Sequence, residues 1–301
     1  MKPILIIGGA TGTGKSDLAV ACAKKMNGEI VSADSMQIYR GLDVGTAKIT
    51  KEEMQGIPHH LIDVADPMDS FSASDYKTLA FAAMNDVFSR GKLPIFCGGT
   101  GLYLNAVIYD LSFTGEWDPA LRDSLLSEAK EKGKEFMHAK LATLDSEAAA
   151  RLHVNDEKRV IRAIEKALTG GRKEEDLCEP KIPYKMVLTD IPRTEMYARI
   201  EKRVDRMMQN GLRQEVAGLL SKGVGYEKQC MQAIAYKEWA LENEIGETGV
   251  VELIKKNTRN YAKRQITWFK QYSDAVHLPV LGRTPEELAA ETERVYQEGR
   301  L

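Results

Sequence analysis

The sequence is poor in the features that mark secreted, zinc-binding or membrane proteins. Its 301 residues include 4 cysteines, which are scattered and form no Cys-x-x-Cys pair. This pattern fits reduced thiols in a cytosol better than a disulfide framework or a zinc site. The first apolar run, residues 4–7, is too short for a signal peptide, and no stretch approaches the roughly 18 apolar residues that span a membrane. We therefore expect a cytoplasmic protein without a membrane segment.

A strong net charge is also missing. The formal net charge is −2, so the protein as a whole has no basic field that would attract nucleic acid. A nucleic-acid partner would need a local stripe or cleft of positive charge. Hydrophobic residues make up 43% of the chain, as in ordinary globular proteins, and the length is sufficient for two domains. No sequence feature points to a protein partner.

The pattern of apolar runs predicts an α/β fold. Strands are expected at 4–7, 29–33, 61–64, 93–97 and 185–189, and helices at 16–26, at 195–209 from a cap at Thr194, and at 248–271. Strands that alternate with helices are typical of a parallel sheet with helices on both faces. Helical patterns alone fill residues 120–131, 134–142 and 157–169. We predict a catalytic core of residues 1–112 and 184–301, interrupted by a small all-helical insertion at 113–183.

A glycine-rich turn joins the first strand to the first helix. It contains Gly9, Ala10, Thr11, Gly12, Thr13, Gly14, Lys15 and Ser16, and it matches G-x-x-x-x-G-K-[ST] at every position. The glycines let backbone amides point at phosphate oxygens, while Lys15 and the helix terminus add positive charge. Ser16 is placed to ligate Mg²⁺, the cofactor that we expect. The motif predicts a P-loop NTPase-like fold that binds a diphosphate or triphosphate, with a nucleotide such as ATP as the default.

Polar residues follow three of the predicted strands directly. Lys15 lies in the loop after the first strand, Asp34 follows the second, and Thr100 follows the strand at 93–97. Because the carboxyl ends of parallel strands share one edge, these side chains should converge, and they are the catalytic candidates. Asp34 also has a plainer interpretation as a helix cap or turn residue.

Two features around residue 60 are weaker indications of a metal site. Asp63 follows a short apolar run and is a candidate carboxylate for holding Mg²⁺ through water. His59 and His60 resemble a metal-binding pair, but adjacent side chains point to opposite faces of a strand and no third ligand is evident. We do not expect a metal at the two histidines.

Two helical segments carry local positive charge. The segment 157–169 has an apolar face and a basic face, and the stretch 255–270 contains basic residues and no acidic ones. Aromatic residues in the second stretch recur with Ile254 at helical core spacing, which favours packing for them. The cations favour contact with phosphates, which dominates the affinity of proteins for nucleic acids. They include Lys158, Arg159, Arg162, Arg259, Lys263 and Arg264.

A series of motifs, in order, makes the interpretation specific. They are Asp34-Ser35-Met36-Gln37-Ile38-Tyr39-Arg40, Asp43-Val44-Gly45-Thr46-Ala47-Lys48, Pro58-His59-His60-Leu61-Ile62-Asp63, Gly98-Gly99-Thr100-Gly101-Leu102-Tyr103, Arg162-Ala163-Ile164-Glu165, Gly211-Leu212, Glu215-Val216, Gln232-Ala233-Ile234, Tyr236-Lys237-Glu238 and Tyr261-Ala262-Lys263-Arg264-Gln265. This series resembles the tRNA dimethylallyltransferases, also called tRNA isopentenyltransferases. The resemblance runs from the phosphate loop to about residue 270.

The resemblance implies an activity and roles for individual residues. In that family the loop holds the diphosphate of dimethylallyl diphosphate, and the dimethylallyl group moves to N6 of the adenine immediately 3′ of the anticodon. Asp34 would be the general base and Thr100 a contact at the reacting centre. The anticodon stem-loop of tRNA would contact Arg122 and two segments, Asp34-Ser35-Met36-Gln37 around the flipped adenine and Lys158-Arg159-Val160-Ile161-Arg162. Gln37 is a candidate reader of the adenine edge, and its alternative is a turn residue.

The chain departs from the family pattern at a few positions. Ala235 stands where the family usually has glycine, so the local turn is expected to differ. Lys158 replaces a usual glutamine, which should add affinity for phosphate and remove a base contact. Ala10 and Gly12 vary the inner phosphate loop without removing a phosphate-binding group.

Two other functions share part of the pattern. A small-molecule or nucleotide kinase has the same loop and sheet, but such kinases usually carry a lid rich in arginine. Residues 113–150 contain Arg122 alone, with Arg151 nearby. An RNA-binding protein switched by a nucleotide would have no need of Asp34 beside a reactive carbon, and Asp34→Ala would leave its function intact.

Overall fold

The computed structural model describes residues 2–113, 118–170 and 179–298. The strands are β1 (Ile4–Gly8), β2 (Gly28–Ser32), β3 (His59–His60), β4 (Leu93–Cys97), β5 (Tyr184–Asp190) and β6 (Val276–Pro279). The helices are α1 (Lys15–Lys25), α2 (Lys51–Met54), α3 (Ala73–Ser89), α4 (Gly101–Ile108), α5 (Pro119–Leu144), α6 (Ser146–Arg151), α7 (Glu157–Leu168), α8 (Arg193–Gln209), α9 (Leu212–Ser221), α10 (Glu242–Phe269) and α11 (Pro285–Glu298). Within these ranges, no helix is both long and apolar enough to cross a membrane.

The six strands form one parallel sheet in the order β3-β2-β4-β1-β5-β6, which confirms the predicted fold class. β1 lies between β4 and β5, with Ile7 opposite both Cys97 and Val187. All five residues of β1 are buried, as its uninterrupted apolar sequence predicts for a strand covered on both faces. The carboxyl ends of β1, β2 and β4 therefore meet at one edge of the sheet.

Helices cover both faces of this sheet. On one face α3 and α4 pack through Tyr76, Met84 and Leu104. On the other face α1 and α11 pack through Leu18 and Leu288. These two apolar layers hold the strand ends in place at the edge where ligands bind in parallel sheets.

Three details of the sequence-based prediction are wrong. The third strand is His59–His60 and not 61–64, because Leu61 and Asp63 have left-handed φ values of 63° and 57°, which end an extended chain. α8 begins at Arg193 after Pro192, so Thr194 lies inside the helix and is not its cap. β6 was not predicted, because its four residues give too short a pattern.

Contacts divide the chain into two compact units, one of residues 1–111 and 180–301 and one of residues 112–179. The range expected for the insertion was 113–183. Within the smaller unit, α5 bends at Gly133, whose φ of 81° separates the two expected helices 120–131 and 134–142. The described helices α5, α6 and α7 enclose their own apolar core, which includes Leu125, Met137, Leu141, Val160, Ile161 and Ile164.

Candidate functional site

A cavity of about 360 Å³ opens at the carboxyl edge of the sheet. Its walls come from the phosphate loop, the turn after β2, residues 45–47, the turn after β4, α8, the turn at 232–237 and α10. Among the described residues that line it, Lys15, Arg203, Lys237 and Arg264 are basic and Asp34 is acidic. The positive charge that the whole chain lacks is therefore concentrated here.

The phosphate loop has the curled backbone that its glycines predict. Gly9, Gly12 and Gly14 have φ values of 136°, 82° and 85°, which L side chains rarely adopt. The Thr13 hydroxyl is buried and donates to the Ala10 carbonyl at 2.8 Å, which closes the loop from within. The Thr11 amide donates to the Gln265 side chain at 2.9 Å, so α10 also fixes the loop.

Two cations reach the cavity and form no salt bridge in the described part of the chain, although Asp34 is near enough to raise the pKa of both against the effect of burial. The Lys15 ammonium donates to the Ala10 carbonyl at 2.5 Å. The Arg203 guanidinium donates to the Thr11 hydroxyl at 3.2 Å and to the Thr46 carbonyl at 2.9 Å. Burial lowers the pKa of Lys15 to about 8, and it also lowers the pKa of Arg203. Since burying unpaired charge costs free energy, this arrangement indicates a site built for an anion.

Asp34 lies on the same cavity wall, at the end of β2. One of its carboxylate oxygens, Oδ1, accepts hydrogen bonds from the amides of Met36 at 2.9 Å and Gln37 at 3.3 Å. These are the bonds of the plainer turn interpretation, and they leave Oδ2 with no protein hydrogen bond among the described residues. A carboxylate held by one oxygen presents the other in a fixed direction, as a general base requires.

Thr100 is adjacent to the cavity and does not line it. Its hydroxyl accepts a hydrogen bond from the Ser35 amide at 3.1 Å and therefore holds the turn after Asp34. Tyr261 of α10 does line the cavity, and burial raises its pKa to about 12, beside the Asp34 carboxylate and the Thr100 hydroxyl. Tyr261 is thus a protonated hydrogen-bond donor at neutral pH. The strand ends that carry Lys15, Asp34 and Thr100 meet, as the parallel sheet predicts.

Cys97 and Gln37 also line the cavity. Burial raises the pKa of the Cys97 thiol to about 11, so it is no nucleophile at neutral pH. The Gln37 side chain donates to the carbonyls of Thr46 at 3.4 Å and Ala47 at 3.5 Å, and its amide oxygen accepts no hydrogen bond from the described residues.

No resident metal site is built from the residues that the structure describes, because no group of three or more His, Cys, Asp or Glu side chains converges there. Asp63 does not line the cavity; its carboxylate accepts from Lys48 at 2.5 Å. His60 binds Glu29 at 2.8 Å, and His59 binds the Ile57 carbonyl at 2.8 Å. Ser16 is exposed at the cavity and close to the loop amides.

Of the residues predicted to contact tRNA in the helical unit, some are exposed and others are buried. Lys158 and Arg159 are exposed on α7, whereas Val160 and Ile161 are 1% and 4% exposed. These two side chains belong to the apolar core, which corrects the expectation that they contact tRNA. Arg122 binds the buried Glu165 through two bonds of 2.5 and 2.7 Å, and Arg162 binds the same carboxylate at 3.0 Å.

The basic stretch of α10 also contains both a residue in an ion pair and exposed residues. Arg259 forms an ion pair with Glu201 at 2.9 Å, while Lys263 and Arg264 are exposed. Of the aromatic residues expected to pack, Phe269 is buried, but Trp268 is 36% exposed and Tyr261 faces the cavity. Helical spacing alone could not separate these cases.

Sequence reasoning missed Arg203 as a site residue. Its signal was present, since Ile200, Val204 and Met207 form the buried face of α8 and Arg203 stands among them. A cation on the apolar face of a helix needs a buried partner or a ligand. Gln265 was missed for the same reason: it is a buried polar side chain in α10.

The turn at 232–237 carries backbone strain at the cavity wall. Ala235 has a φ of 80°, and its amide donates to the buried Glu238 carboxylate at 2.9 Å. This conformation explains why the family usually has glycine at this position. The substitution leaves the turn in a conformation that disfavours alanine.

Known proteins similar to this chain match it over most of its length. The family model described as IPP transferase matches residues 37–272. A tRNA dimethylallyltransferase of Bacillus subtilis is 48% identical over 277 residues, which cover 89% of this chain and 88% of that protein. Another, of Bacillus cytotoxicus, is 46% identical and covers 100% of this chain and 96% of its own.

Solved structures agree with these matches. The full-length tRNA isopentenylpyrophosphate transferase of Bacillus halodurans has a TM-score of 0.74 at 37% identity and covers 99% of this chain and 98% of that one. A eukaryotic dimethylallyltransferase studied acting on tRNA has a TM-score of 0.84 at 26% identity and covers 100% of this chain and 81% of that one. These likenesses confirm the P-loop NTPase-like fold and the family predicted from the motifs. The chain belongs to the IPP transferase family, the family of the tRNA dimethylallyltransferases.

Proposed function

We propose that this prenyltransferase moves the dimethylallyl group of dimethylallyl diphosphate to N6 of the adenine immediately 3′ of the anticodon in tRNA. The observation that carries the proposal is one cavity that holds an oriented carboxylate, Asp34, beside two partly buried cations, Lys15 and Arg203, which form no salt bridge among the described residues. A base and an anion site in one cavity fit the transfer of a group from a diphosphate to a nitrogen nucleophile. The family match supports this function over a kinase.

Asp34 handles the proton in this reaction. The N6 amine of adenine is a poor nucleophile, because its lone pair is delocalised into the ring. As N6 bonds to C1 of the dimethylallyl group, the free Oδ2 of Asp34 accepts the N6 proton, while the C1–O bond breaks and the diphosphate leaves with the electron pair. The two amides on Oδ1 keep the carboxylate aligned and contribute no proton. General bases of this kind contribute about 10²–10⁴ in rate.

The diphosphate would lie against the phosphate loop. Lys15, Arg203 and the amides of Gly12 to Ser16 would bind the charge that develops on the leaving group. Mg²⁺ fits this place because it prefers few protein ligands and several phosphate oxygens, and the exposed Ser16 hydroxyl supplies one oxygen. When bound, Mg²⁺ would neutralise part of the charge on the diphosphate.

The RNA would be held by the exposed cations and by the turn after β2. Ser35, Met36 and Gln37 line the cavity, and the amide oxygen of Gln37, which has no protein hydrogen bond among the described residues, would accept a hydrogen bond from the polar edge of a flipped adenine. Phosphates of the anticodon stem-loop would meet Lys158 and Arg159 of α7 and Lys263 and Arg264 of α10. We place the reaction in the cytoplasm, where tRNA is available.

The test is a transfer assay with a defined RNA. The protein, Mg²⁺ and dimethylallyl diphosphate are incubated with an anticodon stem-loop that has adenine 3′ of the anticodon, and mass spectrometry measures the gain of one C5 unit. We expect Asp34→Asn to lower the rate by about 10²–10⁴ while it keeps the affinity for pyrophosphate. Asp69→Asn, an exposed carboxylate outside the cavity, is the matched control and should act as the wild type.

Two results would overturn the proposal. One is the absence of a C5 gain together with ATP turnover on a small acceptor, which would show that the phosphate loop serves a kinase reaction. The other is full transfer activity in Asp34→Asn, which would leave the protein a transferase without the base assigned here.

A further inference from the structure

One wall of the cavity is a loop that touches two site residues. Residues 43–48 form this segment, here termed the wall loop, and Gly45, Thr46 and Ala47 line the cavity. The Thr46 carbonyl accepts from the Arg203 guanidinium at 2.9 Å and from the Gln37 side chain at 3.4 Å. The position of one backbone oxygen therefore orients both the cation of the anion site and the side chain that faces the adenine.

The wall loop is itself held by a carboxylate outside the cavity. Glu215 of α9 accepts hydrogen bonds from three successive amides, Asp43 at 2.9 Å, Val44 at 2.8 Å and Gly45 at 3.0 Å. The Tyr236 hydroxyl donates a fourth bond at 2.5 Å. Three N–H groups that point to one place repel one another unless an anion lies there, so the shape of this loop depends on the charge of Glu215.

The Tyr236 ring packs directly against the wall loop at Gly45. A Cβ atom on Gly45 would lie 2.5 Å from the Tyr236 ring, so the loop contacts the ring as only glycine allows. Burial and the neighbouring Glu215 raise the pKa of Tyr236, which keeps the hydroxyl protonated as a donor at any physiological pH. At the far end of the loop, Lys48 binds the Tyr39 carbonyl at 2.7 Å.

We propose that Glu215 is a positioning residue for the diphosphate donor, acting through the wall loop on Arg203. Glu215 does not line the cavity and touches no reacting atom; it fixes the Thr46 carbonyl, and that carbonyl fixes the guanidinium. The inference rests on the proposed function, since it assumes that Arg203 binds the leaving diphosphate. A shift of about 1 Å in such a group costs as much as 10²-fold in rate, so the anchor matters although it is remote.

The experiment measures pyrophosphate binding by calorimetry, together with KM for dimethylallyl diphosphate, kcat and the melting temperature. Glu215→Gln keeps the size of the side chain but offers one acceptor oxygen and adds two donors facing the loop amides. We expect the dissociation constant of pyrophosphate and KM for the donor to rise together by about tenfold. Tyr236→Phe keeps the ring on Gly45 and loses one bond, and about a threefold rise in both is expected.

Controls separate positioning from general stability. Glu247→Gln, at an exposed ion pair with Arg213, makes the same chemical change and should alter neither constant. In an Arg203→Met background, Glu215→Gln should weaken pyrophosphate binding by less than about twofold, because the residue through which it acts is gone. A lower melting temperature with unchanged pyrophosphate binding and KM would overturn the inference, and so would a tenfold loss that persists without Arg203.

These outcomes are distinct from failure of the proposed function. Pyrophosphate binding needs neither RNA nor transfer, so the coupling between Glu215 and Arg203 is measured even if no RNA is prenylated. If the wild type transfers the C5 group and Glu215→Gln binds pyrophosphate normally, the function stands and the inference about Glu215 is wrong.

Discussion

The larger unit contains two charged regions, one buried and one partly buried, that are built in opposite ways. In the cavity, Lys15 and Arg203 donate to carbonyl and hydroxyl oxygens. At β2, Glu29 is 1% exposed and accepts from Arg90 and Lys92, with His60 at 2.8 Å. The hydrogen bonds from Arg90 lower the pKa of Glu29 well below its usual range, whereas burial, together with the nearby positive charge of Arg203, lowers the pKa of Lys15 to about 8.

The difference teaches how to recognise a binding site among buried charges. A buried charge with several partners is tied to the fold, because removal of one partner leaves the others buried without compensation. A buried charge without an opposite partner reduces stability until a ligand arrives. Both regions have strongly perturbed pKa values, so perturbation alone does not identify the functional one. A charge that forms no salt bridge does identify the functional region, and its sign predicts the opposite sign for the ligand.

Removal of a cavity cation tests the functional half of the comparison and should have the largest effect. We expect Lys15→Met to weaken pyrophosphate binding by about 2–4 kcal/mol, because the pair between the ammonium and the bound pyrophosphate is lost. The free energy of unfolding should not fall, since the ligand-free protein loses a partly buried charge that forms no salt bridge among the described residues. Calorimetry with pyrophosphate and urea unfolding measure the two quantities.

A lysine on the same helix is the matched control for that experiment. Lys25 of α1 is paired with Glu293 at 3.2 Å on the surface, and Lys25→Met should leave pyrophosphate binding unchanged. If Lys15→Met loses stability but binds pyrophosphate normally, Lys15 stabilises the fold as Glu29 does, and the contrast between the two regions is wrong.

Removal of the buried carboxylate tests the structural half. Glu29→Gln leaves three basic groups facing an amide, and breaking a buried ion pair typically costs 3–5 kcal/mol. Because Arg90 and Lys92 are partly exposed, we expect the lower end, about 3 kcal/mol, with pyrophosphate affinity unchanged. Urea unfolding measures this loss. An equal loss of pyrophosphate affinity in the folded protein would show that the two regions are coupled.

The pH dependence of this effect has a definite sign. The folded pKa of Glu29 is lowered below the ordinary glutamate value of 4.5, so its stabilising contribution is complete above that pH. As the pH falls below 4.5 toward the folded pKa, protonation removes the contribution. The difference in unfolding free energy between the wild type and Glu29→Gln should therefore shrink between neutral pH and pH values below about 4.

Relief of backbone strain should give the smallest effect. Ala235 occupies a left-handed conformation on the cavity wall, and Ala235→Gly should raise the free energy of unfolding by about 1 kcal/mol. Thermal unfolding measures the gain, with Gly218→Ala in the middle of α9 as a control for ordinary glycine effects. If Ala235→Gly is less stable than the wild type, the packing of the Ala235 methyl group contributes more free energy than the left-handed backbone conformation costs.

Local signals in the sequence predicted the phosphate loop and most of the sheet. The loop motif, the buried strand 4–7 and the bend at Gly133 depend on neighbouring residues and need no knowledge of distant ones. The third strand was misplaced, because left-handed residues at Leu61 and Asp63 are set by contacts with other segments: the Asp63 amide donates to the Gln37 carbonyl at 3.2 Å.

The candidate site was predictable only where a motif carried it. Asp34 and Lys15 stand at strand ends and could be found from the topology of a parallel sheet. Arg203 lies in a helix almost two hundred residues from the loop hydroxyl that it contacts, so its partner cannot be inferred from spacing. Val160 was assigned to RNA contact through a motif, although its helical face was already apolar.

The place of β1 in the sheet has a consequence for synthesis on the ribosome. β1 is made before β5, one of its two neighbours in the sheet, and the whole helical unit lies between them in the chain. Until β5 emerges, the edge of β1 that pairs with β5 is exposed. Exposed edges of apolar strands are prone to aggregation. At roughly 5–20 residues per second this interval is on the order of ten seconds.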